Sequence, residues 1–200
     1  IVQQMPLVND SALTQRVETI GRRLVQQLPE KDFDYRFNVV RDNTPNAFAI
    51  PGGRLYVHTG LMDFVASDDQ LAGVIAHEIG HAYERHPVKN LSRAYGLQYL
   101  SSLLLPQNEN KLRALTAKVV QSGVLTRYSR EDELEADRVG FYLLQKAGYR
   151  PEGLRTFLEK LGKIAPSAPI PFLSTHPATP ERVARLKALE TEGAPSPARL

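Results

Sequence analysis

The chain has 200 residues, 42% hydrophobic and 24% charged, which suits one globular domain with a sizeable buried core. A formal net charge of +3 is mildly basic, and its Lys and Arg residues are scattered with no basic stripe and interleaved aromatics, so no nucleic-acid partner is expected. The absence of cysteine excludes thiol catalysis, structural disulfides and cysteine-ligated zinc.

Leu13, Val17, Ile20, Leu24 and Leu28 recur at helical spacing after a candidate cap at Asp10 or Ser11, predicting an amphipathic first helix. Tyr35, Phe37 and Val39 alternate with polar residues, the pattern of a strand with one buried face. Asn46 to Ile50 and Arg54 to Thr59 read as two further strands around the Pro51-Gly52-Gly53 turn, followed by a short helix from Gly60 to Ala66. Ser67-Asp68-Asp69-Gln70 resembles a capping box that opens a helix carrying Leu71, Val74, Ile75 and Ile79, with Pro87 as its terminator.

Helical patterns at 88–105 and 109–126 flank a Pro106-Gln107-Asn108 break. The longest apolar stretch, Leu97 to Leu105, is interrupted by Gln98, Ser101 and Ser102 and falls short of the roughly 20 residues that cross a bilayer. Ser129 is a cap for a helix from Arg130 to Ala147, and Gly148 suits its end. A short helix from Pro151 to Gly162, a loop over 163–178 and a last helix from Thr179-Pro180 to about Glu192 complete the pattern. The sum is an α+β fold, helix-dominated, with a small sheet placed before the helix of residues 67–87, expected as a single domain over 1–192 with a disordered tail at 193–200. The first residue is Ile1 rather than Met, so a processed chain is expected, with any targeting segment already gone.

That helix carries His77-Glu78-Ile79-Gly80-His81. Two histidines at i and i+4 are offset by only about 40° around a helix, so both imidazoles can share one tetrahedral zinc. Glu78 then stands beside the metal, placed to take a proton from an attacking water. In a chain with five histidines such a short motif can arise by chance, so the rest of the site has to be found. The extended metzincin pattern requires a glycine three residues and a histidine six residues after His81, but Glu84 and Pro87 stand there. His86, five residues past His81, would lie about 140° away on a continuous helix and reads as structural or surface. His58, on a strand, also reads as structural.

The remaining source of ligands is Glu131-Asp132-Glu133-Leu134-Glu135-Ala136-Asp137. Glu133 and Asp137 share a helix face, whereas Glu135 lies about 200° from Glu133. One carboxylate of the pair can bind zinc while the other accepts a hydrogen bond from a ligand histidine. The ordinary alternative is a solvated acidic first turn favoured by the helix dipole; the unmatched ligand of the histidine motif tips the balance to the metal.

Four motifs stand in order: Asn46-Ala47-Phe48-Ala49-Ile50-Pro51-Gly52-Gly53, HEIGH at 77–81, Glu-x-Glu-Ala-Asp at 133–137, and Ser174-Thr175-His176-Pro177. Together they resemble, over roughly residues 10–190, the gluzincin family of zinc peptidases that includes the CAAX prenyl protease, HtpX and BepA-type periplasmic proteases. The resemblance implies a zincin-like metallopeptidase domain with one Zn²⁺ per chain held by His77, His81 and Glu133. Glu78 would be the catalytic base and Asp137 the support of a ligand histidine. The segment from Asn46, Ala47, Phe48 and Ala49 through Thr59 would be the sheet edge along which an extended polypeptide adds as a strand. His176 would either donate to the developing oxyanion or occupy the open zinc position and hold the enzyme inactive. Arg182 is a candidate partner for an acidic group of the site or for the substrate backbone, and Tyr128 a weaker candidate.

The implied activity is endopeptidase cleavage of unfolded or envelope proteins, in quality control, in a bacterial periplasm. The alternative is a latent or non-catalytic, chaperone-like zinc-containing binding module. The chain departs from integral-membrane members in having no transmembrane segment, although membrane association stays open. On the residues of this sequence, the helical repeat domain of BepA-type members is not expected within the chain.

Overall fold

Asp10 is the cap of the first helix, α1 (Ser11–Val25): its carboxylate accepts the backbone N–H groups of Ala12 and Leu13. Val17, Ile20 and Leu24 form the buried stripe of that helix, as their spacing requires. The computed structural model describes residues 6–95, 127–164 and 170–197; the pattern expected at 109–126, and 96–105 of the one before it, lie outside the described residues.

Three strands follow, β1 (Arg36–Val40), β2 (Ala47–Ile50) and β3 (Arg54–His58), in the order β1-β3-β2. β1 runs parallel to β3, from Arg36 opposite Arg54 to Val40 opposite His58, and β2 runs antiparallel to β3, from Ala47 opposite Val57 to Ile50 opposite Arg54. The β2–β3 hairpin turns through Gly52 and Gly53, both at positive φ. The single buried face expected of the first strand does not hold, since Val40 is buried on its other side. Val39, Ala47, Ala49, Leu55 and Val57 face the main core, and Val40, Phe48, Ile50 and Tyr56 build a second small cluster on the other face. The expectation that the whole segment from Asn46 to Thr59 forms a sheet edge is also corrected. β3 is the central strand, so only β2 offers an edge there. The outer side of β1 is met by residues 6–8, through Val8 N–H to Val39 O and Arg41 N–H to Pro6 O.

After α2 (Thr59–Phe64), the Ser67 hydroxyl accepts the Gln70 N–H and starts α3 (Asp68–Tyr83). Only half of the anticipated capping box forms, because the Gln70 side chain accepts the Ala66 N–H instead of that of Ser67. α3 is buried from Gln70 through Tyr83, packing on α1, the sheet and two later helices. It stops well before Pro87, which is a further correction. Arg85 takes φ 59°, a left-handed break, and Pro87 instead sits in the first turn of α4 (His86–Tyr95), where its missing N–H is harmless.

The acidic helix is α5 (Arg130–Ala147), opened by a complete capping box between Ser129 and Asp132 and closed by Gly148 in the left-handed conformation. α6 (Glu152–Ile164), α7 (Pro171–Thr175) and α8 (Pro180–Glu192) follow. The stretch expected as loop at 163–178 thus contains the end of α6 and all of α7. Residues 193–197 have no regular structure, yet Ala194 packs against the core and Pro197 is buried, so that part of the tail stays on the body of the protein.

Two glycines set how closely α3 and α5 approach. A Cβ on Gly80 would lie 2.7 Å from the Ala136 carbonyl oxygen, and one on Gly140 would lie 3.1 Å from the His77 nitrogen. Both obstacles are helix backbone, which cannot rotate aside. Gly80→Ala gains up to ~1 kcal/mol in helix propensity but forces the two helices apart, and overpacking costs about 1–3 kcal/mol. We expect a net loss of stability in denaturant unfolding, together with weaker zinc binding.

Candidate metal centre

The spacing on α3 and α5 points His77, His81 and Glu133 into the gap between the two helices, and the end of α7 delivers His176 to the same point. All four are essentially excluded from solvent. His77 Nε2 lies 3.0 Å from His81 Nε2, and the Glu133 oxygens lie 3.5 Å from each of these nitrogens. His176 Nδ1 is 3.3 Å from His77 Nε2 and 3.0 Å from Glu133 Oε1. A tetrahedron with metal–ligand bonds of about 2.0–2.1 Å has edges of about 3.3 Å, and these separations match it. The two Nε2 atoms face each other at hydrogen-bond distance, and an ion between them satisfies both. The donor set therefore fits zinc.

The surrounding shell is charged and buried. His77 Nδ1 lies 2.9 Å from Asp137 Oδ1, while Glu133 is the carboxylate on the side of the two Nε2 atoms. Arg182 is only 2% exposed. Its Nε and one terminal nitrogen each bond Asp137 at 2.7 Å, and the other donates to Pro177 O at 2.9 Å and lies 2.6 Å from Glu133 Oε2. Of the two roles expected for Arg182, the geometry gives the acidic partner; its guanidinium is used up inside the protein, which corrects its assignment to substrate binding. Burial opposes ionisation of Glu133, yet His176, His77 and His81 hold it well below the usual carboxylate range. Asp137 is held down likewise, against burial, by Arg182 and His77.

Glu78 is different. It is 1% exposed, and neither carboxylate oxygen has a well-formed hydrogen bond. Burial pushes its carboxyl up to about 7, against the pull of His176 and of the Ala49 backbone amide. Its Oε1 is 3.4 Å from His176 Nε2. β2 thus passes close to Glu78 with the backbone of Ala49. The Phe48 side chain stacks on Tyr56 in the smaller cluster, while Asn46 accepts the His58 N–H at its carbonyl.

Tyr128 stacks on His81 with ring centroids 4.0 Å apart, and Phe172 stacks on His176 at 4.7 Å. His58 stays outside the cluster, near Thr44 and Asp42. His86, expected as structural or surface, is fully buried, with its Nδ1 2.9 Å from His81 Nδ1. The 140° argument assumed that α3 continued through it. Pro87 was the signal to the contrary, since a residue before proline resists the helical conformation. Nothing in the spacing pointed to Phe172.

This arrangement defines a zincin-type metallopeptidase domain of the gluzincin class: a histidine pair with its glutamate on one helix, and a carboxylate donor on a second helix packed against it. The model for peptidase family M48 matches residues 11–190, and the chain belongs to that family, whose metal is zinc. It is 35% identical over 191 residues to the beta-barrel assembly-enhancing protease of Escherichia coli K12, covering 90% of this chain and 39% of that protein. The mitochondrial metalloendopeptidase OMA1 of Arabidopsis thaliana is 37% identical over 148 residues, 72% of this chain and 29% of its own length. The metalloprotease LoiP of E. coli K12 is 29% identical over 185 residues, covering 89% of this chain and 71% of that protein. The chain thus spans about two fifths of the length of the first of these relatives.

Because Asp137 and Glu133 are buried, removing their cation leaves uncompensated charge. Arg182→Met should cost about 3–5 kcal/mol in urea unfolding of the zinc-loaded protein, and Arg182→Lys should recover only part, having no planar fork to match Asp137.

Proposed function

We propose that the chain, as one catalytic domain over residues 1–192, is a zinc endopeptidase that cleaves unfolded or extended polypeptides of the bacterial cell envelope, in protein quality control. The observation that carries the reading is the buried, unpartnered Glu78 carboxylate beside the four converging donors His77, His81, Glu133 and His176. The envelope assignment rests on the relatives, among them one named for assembly of β-barrels. Among the described residues no helix is long and apolar enough to cross a membrane.

His77, His81 and Glu133 would hold the ion. When bound, zinc supplies Lewis-acid activation of water and of the scissile carbonyl. An extended substrate segment adds to the edge of β2 that no strand occupies among the described residues, where backbone hydrogen bonds give affinity without sequence preference. Ala49 on that strand brings the scissile bond to Glu78. With its carboxyl lifted to about 7, Glu78 accepts the proton of the attacking water and returns it to the departing amine. Asp137 and Arg182 keep His77 and Glu133 in place while this happens.

His176 contributes the fourth donor, and on this reading it closes the site at rest, with its Nε2 3.4 Å from Glu78 Oε1. The enzyme would then be latent until His176 leaves the cluster.

Glu78→Gln should keep one zinc per chain and lose on the order of 10²–10⁴ in the rate of casein cleavage; cleavage at the parental rate would sink the assignment. His176→Ala should raise casein cleavage over the parent. A drop in rate with zinc retained would instead make His176 an oxyanion donor.

A further inference from the structure

His86 lies outside the reaction described above, yet it is completely buried and makes three close polar approaches. Its Nδ1 is 2.9 Å from His81 Nδ1, and its Nε2 is 3.1 Å from Glu135 Oε2 and 3.4 Å from Asp132 Oδ1. The left-handed turn at Arg85 folds it back: without that break, five residues of helix would carry it about 140° away from His81.

We propose that His86 is a positioning residue for the zinc ligand His81, accepting the His81 Nδ1–H and donating its own Nε2–H to Glu135, with the Asp132 carboxylate alongside. The inference rests on His81 being a ligand, as proposed above. His81 turns Nε2 toward His77 and Glu133, so a neutral His81 carries its proton on Nδ1. Two ring nitrogens at 2.9 Å share one proton, so His86 Nδ1 is the acceptor. The single proton of His86 then sits on Nε2, where two carboxylates are within reach. Every hydrogen in the chain from His81 to Glu135 has one donor and one acceptor.

A competing use of the same residues fails on this count. His86, Asp132 and Glu135 are close enough to hold a second metal ion. An ion on His86 Nε2 would move the His86 proton to Nδ1, so that two N–H groups would confront each other at 2.9 Å. The relay and the second metal site exclude one another, and the ligand role of His81 selects the relay. The two ligand histidines are thus backed differently: His77 by the Asp137 carboxylate directly, His81 by a neutral ring that stands between it and its carboxylates.

The test is zinc affinity by competition with a chromophoric chelator, with circular dichroism as the check on folding. His86→Leu removes the acceptor and should weaken zinc binding about 10–100-fold, the usual effect of deleting a ligand's partner. His86→Asn places an amide oxygen where Nδ1 was and should recover most of that loss. His86→Leu binding within about threefold of the parent, or a well-folded His86→Asn as weak as His86→Leu, would overturn the proposal. A measurement on the unmodified protein covers the case where variants misfold. Long-range ¹⁵N–¹H spectra of the zinc-loaded parent should show His81 protonated at Nδ1 and His86 at Nε2, and His86 protonated at Nδ1 would overturn it. If the parent binds no zinc at all, the metallopeptidase reading fails and this proposal falls with it, whereas zinc binding that is unchanged in His86→Leu overturns this proposal alone.

Discussion

The structure depends on how closely two helices pack. α3 brings the histidine pair and α5 the Glu133 carboxylate, and these groups meet only because Gly80 and Gly140 leave each helix backbone bare where the other touches it. With the ligand atoms 3.0–3.5 Å apart, a shift of an ångström between the helices would open the donor polyhedron beyond what one small ion can bridge. The core serves this contact. α3 is buried along nearly its whole length because α1, α6 and the sheet hold it on its remaining sides.

Electrostatics then set what the gap can contain. Glu78, Glu133 and Asp137 are buried carboxylates, and Arg182 is the buried cation among them. Isolated charges in such a place are expensive, so the structure pairs them tightly: the guanidinium holds Asp137 through two nitrogens and reaches Glu133 with a third. The remaining negative charge is what a divalent cation neutralises. Glu78 is left without a strong hydrogen bond and with its carboxyl near neutral pH, which suits a group that must both take up and release a proton.

The elements closing the site come from distant parts of the chain. The end of α7 supplies His176, backed by the stacked Phe172, and the segment just before α5 lays Tyr128 over His81. β2 passes on the other side with its edge free of any strand among the described residues. A site with one side formed by strand backbone and another by a short helix end can admit an extended chain without dismantling the metal shell, since neither side carries His77, His81 or Glu133.

Local periodicity was enough to read α1, the hairpin, the start of α3 and both ends of α5, because caps, turn glycines and apolar stripes act over a few residues. The i,i+4 geometry likewise paired His77 with His81 and put Glu133 and Asp137 on one face. Which of those two carboxylates faces the donor cluster was not readable from that geometry, since both share the stripe; in the fold Glu133 lies 3.5 Å from the Nε2 atoms of His77 and His81, while Asp137 takes His77 Nδ1 and the Arg182 guanidinium. Periodicity failed where the chain departs from a regular element. Arg85 turns left-handed and sends His86 under His81, and β3 ends up in the middle of the sheet, so that only β2 of the segment expected as an edge is one. Sequence by itself determined the helices, their faces and the chemical identity of the donors, because those follow from nearest-neighbour backbone physics. Only the tertiary structure decided which donors meet, which of them are neutralised and which side chains lie against them, because burial and charge compensation are set by residues far apart in the chain.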